Sequence, residues 1–347
     1  MAKTLIEKIG SVIDRRNPEG FELAESYAFD EADDVSKYIR LAMAPVGDVM
    51  TNRSKDAGAR VKDHLSRALQ NVSFQYQGSI MTDTHIEGAS DIDLLVLPEQ
   101  FFGWDRVGIE RSVIYPENAR YSQAQMKLLI DALKTQPYKG DPLEDLGELR
   151  VLCEESLAKV YDEHDFSKGK SMKIRNQHLN REVDVVIASW FDDASSFANG
   201  RNLCRRGIQL YNREIHQRDP VDHPFLRAKL INERSSETDG RLKKMIRLLK
   251  TVKAESDKDV DFSSFDIYAV CYAMPTADYA NLPDAELVPA VTRYLYAIAQ
   301  NSILMKSLRS VDGGEYIFNT PDKKDGFEIL VNELFELSVM MREGGLI

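Results

Sequence analysis

The pattern of apolar and polar positions divides the chain into a mixed first part and a helical second part. Residues 31–70 carry apolar side chains at mixed three- and four-residue spacings, which predicts helix, with Pro45 as the position for a kink. From Val72 to Gln77 the period changes to two, and residues 91–97 are almost continuously apolar apart from two aspartates. These two segments predict a half-buried strand followed by a largely buried one.

Further elements follow from the same patterns. Residues 98–117 are predicted to form an irregular loop, residues 122–133 and 143–161 helices, and residues 170–175 and 182–188 a hairpin. After about residue 200 the strand patterns stop. Five later segments are predicted helices: 226–231, 241–252, 265–274, 287–308 and 327–341. The fold class predicted is therefore mixed α/β, with the boundary to an all-helical part near residue 210.

The charge balance restricts the partners. The chain has 347 residues, 56 of them acidic and 45 basic, for a formal net charge of −11. An extended nucleic-acid surface is not expected, because phosphate contacts need clustered Lys and Arg. Residues 201–260 nevertheless carry +6, which leaves −17 for the rest. This asymmetry suggests an electrostatically organised cleft, although a solvated helix face explains it equally well.

Cysteines and apolar runs indicate the compartment. Cys153, Cys204 and Cys271 are isolated, which argues against a disulfide scaffold or a Cys-rich zinc site. The N-terminus shows no signal-peptide pattern, and no apolar run approaches the roughly 18 residues that a membrane span needs. A cytoplasmic protein is the simplest expectation.

Three aspartates on predicted strands form the main candidate site. Asp91 and Asp93 are two residues apart, so both carboxylates point to one face of their strand, and Asp184 lies within an apolar strand beside Glu182. Adjacent carboxylates repel each other unless a cation lies between them, and oxygen ligands of this kind suit Mg²⁺. Three of them could hold two ions about 3.5–4 Å apart, as in phosphoryl transfer. The alternative is that Asp91 caps its strand, that Asp93 is an exposed edge residue and that Asp184 pairs with an arginine.

Gly78 and Ser79 directly follow the first strand. Gly lets the backbone approach a phosphate closely, and the Ser79 hydroxyl and loop N–H groups can donate hydrogen bonds to its oxygens. A Gly-Ser pair alone carries no information. Its position eleven residues before Asp91 makes it a candidate phosphate loop.

A basic helix provides the candidate counter-charge. Within residues 241–252 an apolar stripe leaves Lys243, Arg247 and Lys250 on one polar face, with Lys244 beside them. Any of these side chains could neutralise a triphosphate. A solvated helix face is the alternative.

The motif Gly78-Ser79, Asp91-Ile92-Asp93-Leu94 and Val183-Asp184-Val185 resembles the signature of the DNA polymerase β-like nucleotidyltransferase superfamily. Within it, the chain is most similar to the cGAS/DncV-like nucleotidyltransferases, over roughly residues 70–275. The resemblance implies a bilobed enzyme with a nucleotidyltransferase core, residues 1–210, and a helical domain, residues 211–347, that completes the nucleotide cleft. It also implies nucleotide contacts by Ser264 and Phe265. The alternatives are that Ser264 caps a helix and that Phe265 is an aromatic residue of the core.

The resemblance implies a metal-dependent synthase of a cyclic di- or trinucleotide messenger, using nucleoside triphosphates such as ATP, in bacterial anti-phage signalling. Two Mg²⁺ ions, replaceable by Mn²⁺, would be held by Asp91, Asp93 and Asp184. The zinc-binding insertion and basic DNA surface of the animal DNA sensor are missing from the sequence, which favours a bacterial-type enzyme. A regulatory protein partner is compatible with the family. Two alternatives remain: transfer to an RNA end or a protein, and a catalytically inactive nucleotide-binding module.

Overall fold

The computed structural model describes residues 5–16, 31–86, 92–119 and 121–347. Contacts divide the chain into two compact units. The sheet unit comprises the described residues of Gly47–Met81 and Asp91–Lys229, and the helical unit those of Met1–Val46, Thr82–Ser90 and Leu230–Ile347. This division differs from the predicted boundary near residue 210, since the N-terminal helices group with the C-terminal ones.

The sheet unit is built around two long central strands. Its strands are β1 (Val72–Gln77), β2 (Ile92–Pro98), β3 (Gly103–Trp104), β4 (His164–Asp165), β5 (Met172–Asn176), β6 (Arg181–Asp192), β7 (Gly207–Asn212) and β8 (Gln217–Arg218). The main order is β1-β2-β6-β5-β4, with β2 and β6 parallel and the β1–β2 and β5–β6 pairs antiparallel. The end of β6 pairs with β3 and β7, and β7 pairs with β8.

Helices cover one face of this sheet. The helices of the unit are α3 (Asp48–Ala68), α4 (Arg106–Ile114), α5 (Pro116–Ala119), α6 (Gln123–Ala132), α7 (Pro142–Ala158) and α8 (Ala194–Ala198). Ile92, Leu94 and Val96 are buried in one cluster with apolar side chains of α3 and α7. The predicted burial of these three positions is therefore confirmed, and alternation along β2 leaves Asp93 on the opposite face.

The opposite face of the sheet has its own apolar cluster. Leu95 and Leu97 of β2 pack there with Val186, Ala188 and Trp190 of β6. Since side chains two residues apart share a face, Asp93 and Asp184 lie beside the first members of this cluster.

The helical unit surrounds one buried helix. Its helices are α1 (Leu5–Arg16), α2 (Glu31–Met43), α10 (Arg241–Glu255), α11 (Ser264–Ala273), α12 (Asp284–Ala299), α13 (Ser302–Ser307) and α14 (Pro321–Glu343); α9 (Pro224–Glu237) crosses the boundary of the units. The apolar stripe predicted on α10 is buried as expected. However, α10 contacts α2, α11, α12 and α14, so its polar side is covered as well.

Three element predictions are wrong. Residues 98–117 are not an irregular loop, because they form β3, α4 and α5, and the Asp105 side chain caps α4 by accepting from the Gly108 N–H at 2.9 Å. Strands do not stop after residue 200, since β7 and β8 extend the sheet through their pairing with β6. Residues 287–308 are two helices, with the Asn301 side chain capping the second.

Other elements match their predictions closely. Ser122 caps α6 in a reciprocal capping box with Gln125, and the hairpin of β5 and β6 is present. Pro45 lies in a short break between α2 and α3 rather than in a kinked helix. In the part of the chain that the structure describes, no helix is both long and apolar enough to cross a bilayer.

Candidate active site

Gly78 brings the turn after β1 into contact with a carboxylate. Gln77, the last residue of β1, is the direct partner of Asp93 on β2. Gly78 has φ +90°, and a Cβ built on it would lie 2.8 Å from Asp93 Oδ2. Only glycine fits this backbone conformation and this approach without strain. The predicted phosphate loop and one predicted metal ligand are therefore adjacent.

Asp93 and Asp184 are neighbours across the parallel strand pair. They are directly paired in the register of β2 and β6, so their side chains project from the same face. Both are half-buried, and Asp184 Oδ1 is a buried atom. Like charges held this close disfavour ionisation unless a cation offsets them. The donor set, two carboxylates on rigid strands, fits a hard cation such as Mg²⁺.

The third predicted ligand, Asp91, lies outside the described residues. Within the described residues no group of three or more His, Cys, Asp or Glu is clustered as a metal site. Asp93 and Asp184 therefore supply the part of the carboxylate set that the structure describes, and a third ligand at Asp91 stays a prediction.

Glu182 also projects toward the Asp184 face, and its carboxylate pairs with a lysine. Lys173 Nζ donates to Glu182 Oε2 at 2.7 Å, and Lys173 is itself the direct strand partner of Asp184. The charge of Glu182 is therefore offset by an ammonium group.

Known proteins resemble this chain in both sequence and fold. A family model described as the cGAS/DncV-like nucleotidyltransferase C-terminal helical domain matches residues 229–337. The chain is 42% identical over 306 residues to a c-di-GMP synthase of Lachnospiraceae bacterium (strain RUG226), covering 88% of each protein. The chain belongs to the cGAS/DncV-like nucleotidyltransferase family.

Solved structures agree with this membership. The STING-associated CdnE c-di-GMP synthase from Capnocytophaga granulosa matches with a TM-score of 0.76 and 37% identity, over 98% of this chain and 99% of that chain. A STING-associated CdnE c-di-GMP synthase from Flavobacteriaceae sp. matches with a TM-score of 0.84 and 29% identity, with the same coverage. The predicted family, the mixed α/β fold class and the enzyme class are confirmed; the enzyme class is a nucleotidyltransferase that makes a cyclic dinucleotide.

The basic helix of this family member is less exposed than its sequence predicts. Arg247 is 4% exposed, and its guanidinium donates from Nε to the Met43 carbonyl at 2.7 Å and from Nη1 to the Asp83 carbonyl at 2.6 Å. A direct phosphate contact by Arg247 would have to compete with both bonds. Lys250 is also buried, and its Nζ donates to the Thr84 carbonyl at 2.9 Å.

Burial lowers the pKa values of two lysines on this helix. It lowers the pKa of Lys250 to about 8, and the nearby charge of Lys253 acts in the same direction. Burial also lowers the pKa of half-buried Lys243, where Asp83 raises it and Arg247 lowers it further. Lys244 forms an ion pair with Asp284, at 2.8 Å from Nζ to each carboxylate oxygen. The phosphate roles of Lys243 and Lys244 stay predictions.

The predicted nucleotide contacts Ser264 and Phe265 lie at the start of α11. The cap of this helix is Ser263, which forms a reciprocal capping box with Asp266. The alternative that Ser264 is the cap is therefore off by one residue. Ser264 is exposed, and Phe265 is half-buried against the core of the helical unit. Nucleotide contacts by these two residues stay predictions.

Sequence reasoning missed the polar residues 82–86. Thr82, Thr84 and His85 are buried, although they follow the phosphate loop in what the sequence suggests is an open polar connection. No periodicity marks their burial, because the groups that hydrogen-bond residues 83 and 84 come from α10 and α11.

Replacing Gly78 by Ala is expected to lower the rate of triphosphate consumption about 100-fold, since the new methyl group must displace the Asp93 carboxylate. Pyrophosphate release measures the effect. Gly200 is the matched control, because it also has a positive φ, +64°, but its added Cβ meets nothing within 4 Å. Gly200→Ala should keep normal activity; equal losses in both variants would show that backbone strain alone is responsible.

Proposed function

We propose that this enzyme joins two molecules of GTP into cyclic di-GMP with release of two pyrophosphates, using Mg²⁺, and that the product is a second messenger in bacterial anti-phage defence. The carboxylates Asp93 and Asp184, paired across β2 and β6 beside Gly78, carry the catalytic part of the proposal. The guanine preference rests on relatives that are named c-di-GMP synthases. The defence role rests on the STING association named for two of them.

The carboxylates would hold the metal. Asp93 and Asp184 are proposed as ligands, with Asp91 completing the set. When bound, Mg²⁺ neutralises phosphate charge and favours deprotonation of a ribose hydroxyl. Asp184 would also orient the attacking hydroxyl and accept its hydrogen bond.

The remaining groups would place the triphosphate. The Ser79 hydroxyl and the N–H groups of the turn after β1 are proposed to donate to the β- and γ-phosphates. In each of two steps a ribose hydroxyl oxygen forms a bond to an α-phosphorus, the bond to pyrophosphate breaks, and the hydroxyl proton leaves. No covalent enzyme intermediate is needed, because positioning and charge neutralisation supply the rate.

A product assay tests the proposal. The purified protein is incubated with each nucleoside triphosphate, singly and together, with Mg²⁺ or Mn²⁺; phosphatase is added and the products are analysed by mass spectrometry. GTP alone should give a phosphatase-resistant product with the mass of cyclic di-GMP. A requirement for ATP, UTP or CTP would contradict the guanine assignment.

Other outcomes identify the alternatives. Extension of an added RNA, or nucleotide mass added to a protein, would show that the acceptor is not a second nucleotide. No metal-dependent consumption of any triphosphate would show a non-catalytic module. Asp184→Asn is the control that separates the activity of this chain from a contaminant.

A further inference from the structure

The residues directly after the phosphate loop are bound to α10 and α11 of the helical unit. We call residues 82–86 the linking segment. Its backbone carbonyls accept hydrogen bonds from two buried cations: Asp83 from Arg247 at 2.6 Å and Thr84 from Lys250 at 2.9 Å. The Thr84 hydroxyl is also 2.8 Å from the hydroxyl of Tyr268 on α11. Charged donors make these bonds stronger than ordinary amide bonds.

Burial shows that this attachment is part of the packed structure. Thr84 is fully buried, and Thr82, whose hydroxyl is 2.7 Å from that of Thr84, is 3% exposed. Leaving the buried carbonyl of Thr84 without its donor carries the full cost of its desolvation. Asp83 has a left-handed backbone, φ +52°, which a non-glycine residue adopts only where its surroundings hold it.

The attachment is specified by the helices. Three of these bonds, two from Arg247 and one from Lys250, end on backbone carbonyls, and Arg247 Nη1 also lies 3.6 Å from the Asp83 carboxylate. Arg247 also binds the carbonyl of Met43 at the end of α2, which joins three parts of the helical unit through one guanidinium.

Along the chain, this fixed path begins three residues after Ser79. Met81 closes the turn by donating its N–H to the Gly78 carbonyl at 3.2 Å, and Thr82 follows immediately. We infer that Arg247, Lys250 and Tyr268 are positioning residues that hold the linking segment, which is joined to the Gly78–Ser79 turn through Met81, and that catalysis needs this attachment. This inference rests on the proposed function, since it assigns these residues to the geometry of that site instead of to a direct phosphate contact.

The matched comparison uses lysines of the same helix. Lys253 lies three residues after Lys250 and also donates to a backbone carbonyl, that of Phe262 at 2.8 Å, which is far along the chain from the phosphate loop. Lys250→Met and Lys253→Met therefore remove the same kind of bond from the same helix. Lys250→Arg restores a charged donor, and Tyr268→Phe removes only the hydroxyl that contacts Thr84.

Two readouts are measured: amide hydrogen exchange of the linking segment in the nucleotide-free protein, and kcat and KM for GTP. Lys250→Met and Tyr268→Phe should speed exchange at residues 82–86 and lower kcat, with a loss approaching about 100-fold for Lys250→Met. KM should change much less, because no direct substrate contact is removed. Lys253→Met should leave both readouts at wild-type values, and Lys250→Arg should recover most of the kcat.

Several results would overturn the inference. A raised KM with unchanged exchange at residues 82–86 would show that Lys250 contacts the nucleotide directly. Equal losses in Lys253→Met would show general destabilisation of α10. The exchange measurement needs no turnover, so a wild-type protein that makes no cyclic di-GMP would contradict the proposed function, whereas unchanged exchange in both variants would contradict the attachment itself.

Discussion

Replacing Asp184 by Asn is expected to lower kcat for cyclic di-GMP formation by about 10³-fold or more, and Asp93→Asn should have an effect of similar size. Each substitution removes one negative charge, proposed to bind the metal, from a pair opposed across β2 and β6. Metal-ion catalysis contributes several kcal/mol of charge stabilisation, and each 1.36 kcal/mol corresponds to a tenfold change in rate. Product formation from GTP at saturating Mg²⁺ gives the rate directly.

Stability provides a second expected result for the same variants. Because asparagine keeps the size and shape of aspartate, and each substitution removes only one charge from neighbouring strands, the melting temperature in metal-free buffer should change little. A variant that lost activity together with folding would not support the catalytic assignment. Melting curves in the presence of a chelator make this comparison.

Glu182→Gln is the matched control for both substitutions. It removes a carboxylate from the same strand, two residues from Asp184, but from a side chain already bonded to Lys173. Its activity should stay within a few-fold of wild type. If either Asp→Asn variant kept near-normal turnover, or if Glu182→Gln were as inactive as they are, the two-carboxylate site would be wrong.

The strands that carry these acids could be predicted because their signals are local. The period of two from Val72 to Gln77 and the apolar run after Asp91 are visible without tertiary information. The face of Asp93 followed from the burial expected of Ile92 and its neighbours, which the structure confirms. The register that pairs Asp93 with Asp184 could not be predicted from the sequence, because it depends on pairing between segments about 90 residues apart.

The polar side of α10 shows where sequence reasoning fails. Arg247 and Lys250 have the spacing of a solvated face, and a cation in a sequence carries no sign that it will be buried. Their burial is tolerated because backbone carbonyls from α2 and from residues 82–86 accept their hydrogen bonds. The short strand β7 was missed for a related reason, since its pairing with β6 stabilises a segment with a weak pattern of its own.

Two of the three acids in β6, Asp184 and Asp192, lie in different surroundings. Asp184 lies at the candidate active site, whereas Asp192, at the end of the strand, is fully buried in an ion cluster. Arg206 donates to it from Nε at 2.9 Å and from Nη2 at 2.8 Å, and Arg201 donates from Nε at 3.0 Å. The Ser196 hydroxyl donates at 2.5 Å. Asp192 thus shows an Asp–Arg pairing of the kind considered for Asp184.

Aromatic rings complete this cluster. The Arg206 guanidinium lies 4.1 Å from the centroid of the Trp190 ring, and that of Arg201 lies 4.2 Å from the Phe102 ring. Burial lowers the pKa of Arg206, and the hydrogen bond and charge of Asp192 raise it. The carboxylate therefore pairs with two cations that also lie against apolar rings. Arg206 is the more buried of them, with 13% of its side chain exposed against 37% for Arg201.

Asp192→Asn is accordingly expected to lower the free energy of unfolding of the sheet unit by about 3–5 kcal/mol, because it leaves the largely buried guanidinium of Arg206 without its counter-ion. Both tryptophans of the chain, Trp104 and Trp190, lie in this unit, so urea unfolding followed by tryptophan fluorescence reports on it selectively. Asp219→Asn is the control, since it removes a carboxylate from an ion pair with a half-exposed lysine, Lys170, and should cost at most about 1 kcal/mol. Equal costs for the two variants would mean that the buried cluster contributes no more than a surface ion pair, and that β6 is held in place by its strand pairing and apolar contacts alone.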